Sequence, residues 1–225
     1  KFDTYIEPFL GGGAVFFHLE PERAILNDKN QKLIQFYRDV RDNFPVLSKE
    51  LTTLGELYQA NQKDYKERKA QSPDKRVANA NGELYYAMRK LYNHPDGSYL
   101  YGTIYYFINK TAYSGMIRYN KAGEFNIPYG HYANFNPDIV TKEHSELLQR
   151  ATLFNTDYED IFAKATTGDF MFLDPPYDCV FNSYGNNDIP DGFNEAEQRR
   201  LAENFKNLSC KALMIIGKTP LIEEL

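Results

Sequence analysis

Short apolar runs alternate with stretches of helical spacing near both ends of the chain, and a polar, tyrosine-rich interval separates them. Thr4-Tyr5-Ile6 and Ala24-Ile25-Leu26 predict two short strands, with a helix at Ala14 to Leu19 between them. Gln31 to Arg38 opens a further helix, in which Leu33, Ile34, Phe36, Tyr37 and Val40 recur at helical spacing and mark a core-facing side. The alternation resumes after residue 150: a strand from Thr152 that ends in Asp157 and Tyr158, a helix at Glu159 to Lys164, and a strand at Phe170 to Leu173. A helix at Glu195 to Phe205 and a strand at Ala212 to Ile216 follow. Asp178 to Gly192, polar and glycine-containing, reads as a mobile loop. In the middle interval Tyr85 and Met88 to Tyr92 predict a packed helix, and Tyr105 to Ile108 a buried segment. No internal repeat or low-complexity tract interrupts the pattern.

Composition narrows the picture. A chain of 225 residues with 42% hydrophobic content can hold one domain plus a small insertion. No apolar run approaches the length of a membrane helix, and nothing at the start resembles a secretory signal. Cys179 and Cys210 fit neither a disulfide framework nor a zinc pattern, and the four histidines lack ligand spacing, so no metal site is expected and a reducing cytoplasm is. The net charge of −5 hides an asymmetry: Asn61 to Phe125 carries eleven Lys/Arg against six acids, leaving fifteen against twenty-five elsewhere. A basic insertion on an acidic body suits phosphate contacts; an ordinary solvated helical face explains Lys63 to Arg76 equally well.

Two motifs carry candidate chemistry. Asp174-Pro175-Pro176-Tyr177 closes the strand Phe170 to Leu173 and puts a carboxylate, a rigid carbonyl and an aromatic face at one strand end, a site suited to a planar amine. Its plainer reading is a proline turn ending a buried strand. Near the start, Glu7-Pro8-Phe9-Leu10-Gly11-Gly12-Gly13 joins strand to helix, and its glycines let a ligand approach main-chain N–H groups. It lacks the spacing of a dinucleotide fingerprint or a P-loop. Asp28, at the end of the second strand, is placed to accept from a ribose, or to cap the next helix, or both.

Taken in order, these motifs resemble the Dam-type adenine-N6 DNA methyltransferases, over most of the chain. That family has a Glu-Pro-Phe-x-Gly-x-Gly cofactor loop, an Asp-x-Asn acid, a DNA-recognition insertion and then Asp-Pro-Pro-Tyr. Here these are Glu7 to Gly13, Asp28 to Asn30, an insertion, and Asp174 to Tyr177. The insertion ends in Asn109 to Asn120 followed by Gly123 to Gly130, similar to the family's Asn-Gly-x-x-Arg-x-Asn and Gly-x-Phe-Asn-Val-Pro-x-Gly segment.

The resemblance implies a doubly wound, Rossmann-like α/β fold with a mostly helical insertion: catalytic domain 1–50 and 140–225, recognition insertion 51–139. It implies methyl transfer from S-adenosylmethionine to N6 of a flipped adenine in double-stranded DNA, with Asp174, Pro175, Pro176 and Tyr177 at the chemistry. Glu7, Pro8, Phe9, Gly11, Gly13, Asp28, Asp157, Tyr158 and Asp174 would hold the cofactor, with Asp157 accepting from the cofactor's adenine amine and Tyr158 flanking its ring; Asp157 is equally a cap for the helix that follows. Lys110, Tyr113, Ser114, Met116, Arg118, Asn120, Lys121, Asn126 and Pro128 would face DNA. Arg118 takes the place of a guanine reader and Tyr113 that of an aromatic wedge, against a phosphate contact and simple packing as the plainer roles. A target beginning with G, such as GATC, follows. A monomer, and a cognate restriction endonuclease system, are also expected. The chain departs from the family at Ser114, where Asn is usual, and at Ile216-Gly217-Lys218, where Ser-Asn often follows the strand. It begins after the family's usual first segment and stops soon after Met214, so truncation at both ends is expected. Two other readings stand beside this one: a methyltransferase for another planar amine (cytosine N4, RNA or protein glutamine), and a DNA-binding remnant without catalysis.

Overall fold

The computed structural model describes residues 1–177 and 193–225. They divide into two compact units: residues 1–34 with 146–225, and residues 35–145. The expected loop at Asp178 to Gly192 lies outside the described residues.

The first unit is built on a parallel sheet of five strands, β1 (Tyr5–Glu7), β2 (Ala24–Asn27), β3 (Ala151–Phe154), β4 (Phe170–Leu173) and β5 (Lys211–Met214), in the order β3-β2-β1-β4-β5. Parallel strands are joined by crossovers and covered on both faces, which is why β1 and β4 read as short apolar runs rather than alternating ones. Tyr5 and Ile6 are fully buried, as are Met171 and Leu173. Among the described residues the crossover helices of this unit are α1 (Ala14–Leu19), α7 (Tyr158–Phe162) and α8 (Glu195–Lys206), and α6 (Lys142–Leu148) leads into β3. Asn194 caps α8 by accepting from the Glu197 N–H at 3.2 Å, with Glu195 and Glu197 in the first turn and Lys206 in the last, all favourable to the helix dipole. Ile6, Tyr158, Ile161, Met171, Leu173 and Leu201 form its core.

The second unit holds most of α2 (Gln31–Asp42), the long α3 (Phe44–Gln71), α4 (Ala80–Asn93) and α5 (Tyr101–Thr111). Its tyrosines do more than fill space. A buried phenol still needs a partner, and here the hydroxyls staple the stretch that follows α5: Tyr85 donates to the Ile127 carbonyl at 2.8 Å, Tyr106 to that of Asn136 at 2.8 Å, and Tyr58 to that of Tyr132 at 2.6 Å. Among the described residues no helix is long and apolar enough to cross a membrane, and no His/Cys/Asp/Glu group could hold a metal.

Candidate active site

In an open parallel sheet a crevice forms beyond the carboxyl ends of the strands where their order reverses. In the first unit that point is at β1, flanked by β2 on one side and β4 on the other. The expected residues of this unit lie at that edge.

Glu7 ends β1 and is 2% exposed. The Tyr5 hydroxyl donates to its Oε2 at 2.8 Å, and the Phe16 N–H, in the first turn of α1, donates to it as well. Burial is the dominant influence on its carboxyl; the two donors oppose it, the negative charge of Asp174 adds to it, and the net result is a pKa pushed up to about 7. Glu7 thus grips the start of α1. The loop between turns through Gly11 and Gly13, both in the left-handed region at φ 48° and 66°. A side chain at Gly11 or Gly12 would meet nothing within 4 Å, so the loop borders open space. Pro8 is buried beneath it and Phe9 half-buried.

Asp28, just beyond β2, accepts from the Gly11 N–H at 2.9 Å and from the Asn30 N–H at 2.8 Å. Burial raises its carboxyl above the usual range, with the two N–H groups acting against it. The cap of α2 is Asn30, whose Oδ1 accepts from Lys32 and Leu33 at 3.0 and 3.2 Å. Asp28 is therefore not the cap, and among the described residues each of its oxygens keeps a lone pair.

Between these loops lies Asn27, 1% exposed. Its Nδ2 donates to the carbonyls of Pro8 (2.9 Å) and Thr156 (3.2 Å), and its Oδ1 accepts from the Thr156 N–H (3.0 Å). One amide thus stitches the loops after β1 and β3 to the end of β2. Asn155 adds bonds to the carbonyls of Asp28 and Lys29 at 2.8 and 3.0 Å.

Asp157 caps α7 by accepting from the Glu159 N–H at 3.0 Å. Arg200 of α8 lays its fork across the same carboxylate, 3.2 Å to each oxygen. Burial would raise this carboxyl; Arg200 and the capped N–H outweigh it and hold it below the usual range. Tyr158 is 5% exposed, its ring 5.3 Å from that of Phe9 and 4.6 Å beneath the Arg200 guanidinium.

At the end of β4, Asp174 is exposed, Pro175 buried, and Tyr177 37% exposed. The turn is held from two sides: the Ile215 N–H donates to the Leu173 carbonyl at 2.9 Å, and the Gln198 side chain, 1% exposed, donates to the Pro176 carbonyl at 2.9 Å. A side chain at Gly217 would touch the Tyr177 ring at 3.7 Å.

The second unit carries the other set. After α5 a short 3-10 turn, Tyr113–Gly115, leads into a hairpin closed by an antiparallel bridge between Tyr119 and Phe125. Asn120 builds its turn, its Oδ1 accepting from Ala122 and Glu124 at 2.9 and 3.0 Å. Asn93 of α4 clamps the Phe125 backbone in both directions, at 2.8 and 3.1 Å, and Arg89 donates to the Ile127 carbonyl at 3.0 Å. Lys110, Tyr113, Ser114, Met116, Arg118, Asn120, Lys121 and Pro128 are exposed; Asn126 is half-buried and accepts from Arg118 Nε at 3.0 Å. Ser114 sits in the left-handed region at φ 55°, a conformation that favours Gly or Asn. In the basic stretch 63–76, Arg68 and Lys69 bond backbone carbonyls of the turn beyond α3.

Asn27, Gln198, Arg200, Arg89 and Asn93 were not singled out from the sequence. Asn27 left a signal, since a polar residue closing an apolar strand must find partners; the other four left none.

A family model described as D12 class N6 adenine-specific DNA methyltransferase matches residues 1–225. Among similar proteins, a Type II methyltransferase, M.CviBI, from a Paramecium bursaria Chlorella virus is 33% identical over 99% of this chain and 76% of its own length. A Type II methyltransferase from Methanocaldococcus jannaschii, M.MjaIII, is 33% identical over 94% of this chain and 72% of its own. A DNA adenine methylase from Salmonella typhi is 28% identical over 96% and 71%.

Proposed function

Because the chain belongs to the D12 class of N6 adenine-specific DNA methyltransferases, we propose that the sheet edge of its first unit binds S-adenosylmethionine and holds a flipped adenine of double-stranded DNA, while the hairpin of its second unit reads the duplex. The observation that carries this reading is the set of groups at one sheet edge: an open glycine loop, two acids with acceptor capacity at the ends of β2 and β3, and Asp174-Pro175-Pro176-Tyr177 at the end of β4.

Those residues fit the cofactor. The glycine loop has room for a ligand, Asp28 has lone pairs for the two hydroxyls of a ribose, and Asp157 offers an acceptor to an adenine amine. When bound, S-adenosylmethionine supplies a methyl group made electrophilic by its sulfonium.

This chain's residues prepare the other reactant. The amine of adenine is a poor nucleophile because its lone pair is delocalised into the ring. The Asp174 carboxylate accepts one amine hydrogen and the Pro175 carbonyl the other, which draws the nitrogen toward a tetrahedral shape and frees its lone pair. The hold of Gln198 on the Pro176 carbonyl fixes the turn while leaving that of Pro175 for the base. Acceptors fixed in advance lower the barrier, because nothing has to reorganise as charge develops. Tyr177 stacks on the base, offsetting part of the few kcal/mol that flipping costs. In the hairpin, Arg118 reads guanine, Tyr113 enters the base stack, and Lys110 and Lys121 meet phosphates. The Arg118 bond to Asn126 uses Nε, leaving the terminal amino pair for a bidentate contact. The Type II methyltransferases among its relatives support a partnership with a restriction endonuclease.

The test is transfer of labelled methyl from S-adenosylmethionine to duplex DNA, followed by nucleoside analysis. The label is expected in N6-methyladenine at one short sequence beginning with G. Label in N4-methylcytosine, or in RNA or protein alone, would overturn the proposal.

A further inference from the structure

Arg200 stands in no motif, yet it is among the most heavily bonded side chains of the first unit. Its fork spans both oxygens of Asp157 at 3.2 Å, Glu197 accepts from it at 2.5 Å, Glu159 lies 3.1 Å away, and the Tyr158 ring supports its flat face at 4.6 Å. We infer that Arg200 is a positioning residue for the cofactor's adenine: it orients the Asp157 carboxylate so that one acceptor position, on Oδ2, faces the 6-amino group, and so makes the site selective for a 6-aminopurine. This rests on the reading above that Asp157 accepts from that amine.

A carboxylate has about four acceptor positions. On Oδ1 the Glu159 N–H takes one and the first arm of Arg200 the other; on Oδ2 the second arm takes one. Among the described residues, one position on Oδ2 remains. A bidentate fork also fixes the carboxylate plane, which a single contact does not. The guanidinium cannot leave easily, because two more carboxylates and an aromatic face hold it. With Arg200 in place the carboxylate stays ionised and can only accept. A 6-amino group donates to it and is accepted; a 6-oxo group presents an oxygen to a negative oxygen and is rejected. Arg200 thus sets what the acid recognises without touching the ligand.

The experiment measures binding of S-adenosylhomocysteine and its 6-oxo counterpart, S-inosylhomocysteine, by calorimetry. Variants are Arg200→Met, Arg200→Lys and Asp157→Ala, with the purified enzyme as reference. The reference is expected to prefer the adenosyl ligand by tenfold or more. Arg200→Met should lose about tenfold in adenosyl affinity, a change of about 1.4 kcal/mol, and keep inosyl affinity within twofold, so that the preference collapses. Arg200→Lys, which keeps the charge but not the fork, should fall between, and it carries the test if the methionine variant does not fold. Parallel weakening of both ligands in the Arg200 variants, or an unchanged preference, would overturn the inference. The Asp157→Ala variant separates the two levels: if it keeps the full preference, the adenine assignment of Asp157 itself is wrong. If it loses the preference while the Arg200 variants keep it, only the role of Arg200 is.

Discussion

The sheet edge of the first unit and the hairpin of the second are both built from short loops, but they spend their hydrogen bonds differently. At the sheet edge three acids are tied down by their side chains, Asp28 by two N–H groups, Asp157 by a cap and a guanidinium fork, and Glu7 by a phenol and a helix N-terminus, and the turn that carries the exposed Asp174 is held by its backbone. In the hairpin the backbone is tied down instead, by Asn93, Arg89, Tyr85 and the turn-forming Asn120, while Tyr113, Met116, Arg118 and Lys121 extend into solvent. The difference suits the two tasks proposed for them. Methyl transfer tolerates little misplacement, and at the proposed site the turn and the acids of the cofactor side are held beforehand. A reader of a groove must displace water from bases it has yet to meet, so its frame is fixed while its side chains stay exposed, Arg118 held only through Nε.

The largest expected effect comes from breaking the stitched edge at its centre. Asn27→Ala removes three side-chain bonds and leaves the buried Pro8 carbonyl and the half-buried carbonyl and N–H of Thr156 without this partner, which should cost about 2–4 kcal/mol of stability. Urea unfolding measures it, with Asn120→Ala in the hairpin as the contrast at about 1 kcal/mol. A loss under 1 kcal/mol at Asn27 would mean that the edge is not held as described.

Glu7 sharpens the same comparison through pH. Its carboxyl is raised to about 7 in the folded protein against about 4.5 unfolded. Between those values the folded state keeps a proton that the unfolded chain has lost, so stability falls as pH rises through the window, by up to about 3 kcal/mol. Glu7→Gln should flatten that fall: near pH 4.5 the two proteins should match, and by pH 8 the variant should be the more stable. Equal pH slopes for variant and parent would contradict the burial of the charge.

In the hairpin the effects are smaller and fall on recognition. Arg118→Ala should cost about 1–3 kcal/mol at one base pair, whereas Lys121→Ala should weaken all sequences alike and flatten the salt dependence. Binding assays on a set of single-base variants at two salt concentrations distinguish the two. Smallest of all, Ser114→Asn should raise stability by about 0.5 kcal/mol, because Asn tolerates a φ of 55° better. A thermal melt that moved downward would show that the serine side chain makes a compensating contact.

What could be read from the sequence divides along the same line. The strands at Tyr5, Ala24 and Phe170 and the glycine loop declare themselves through runs and composition, because burial on both faces and left-handed turns constrain residue type locally. The family motif order placed Asp28, Asp157 and Asp174. The partners that hold them did not show: Arg200 and Gln198 lie on a helix whose charged residues look like an ordinary solvated face, and only the fold brings them to Asp157 and Pro176. The basic count over residues 61–125 was also ambiguous for a physical reason, since Arg68 and Lys69 engage carbonyls beyond α3.

The central claim, that bond-making lies at the sheet edge and reading in the hairpin, is met most directly by one paired measurement. Methyl transfer from labelled S-adenosylmethionine at saturating duplex DNA is followed for Asp174→Ala and Arg118→Ala, with DNA affinity determined on the same samples. Asp174→Ala should lose roughly a hundred- to a thousandfold or more in turnover with DNA affinity nearly unchanged, and Arg118→Ala should keep most of its turnover while losing preference at one base pair. Near-normal turnover in the Asp174 variant, or a loss of DNA affinity that accounts for its inactivity, would contradict the account.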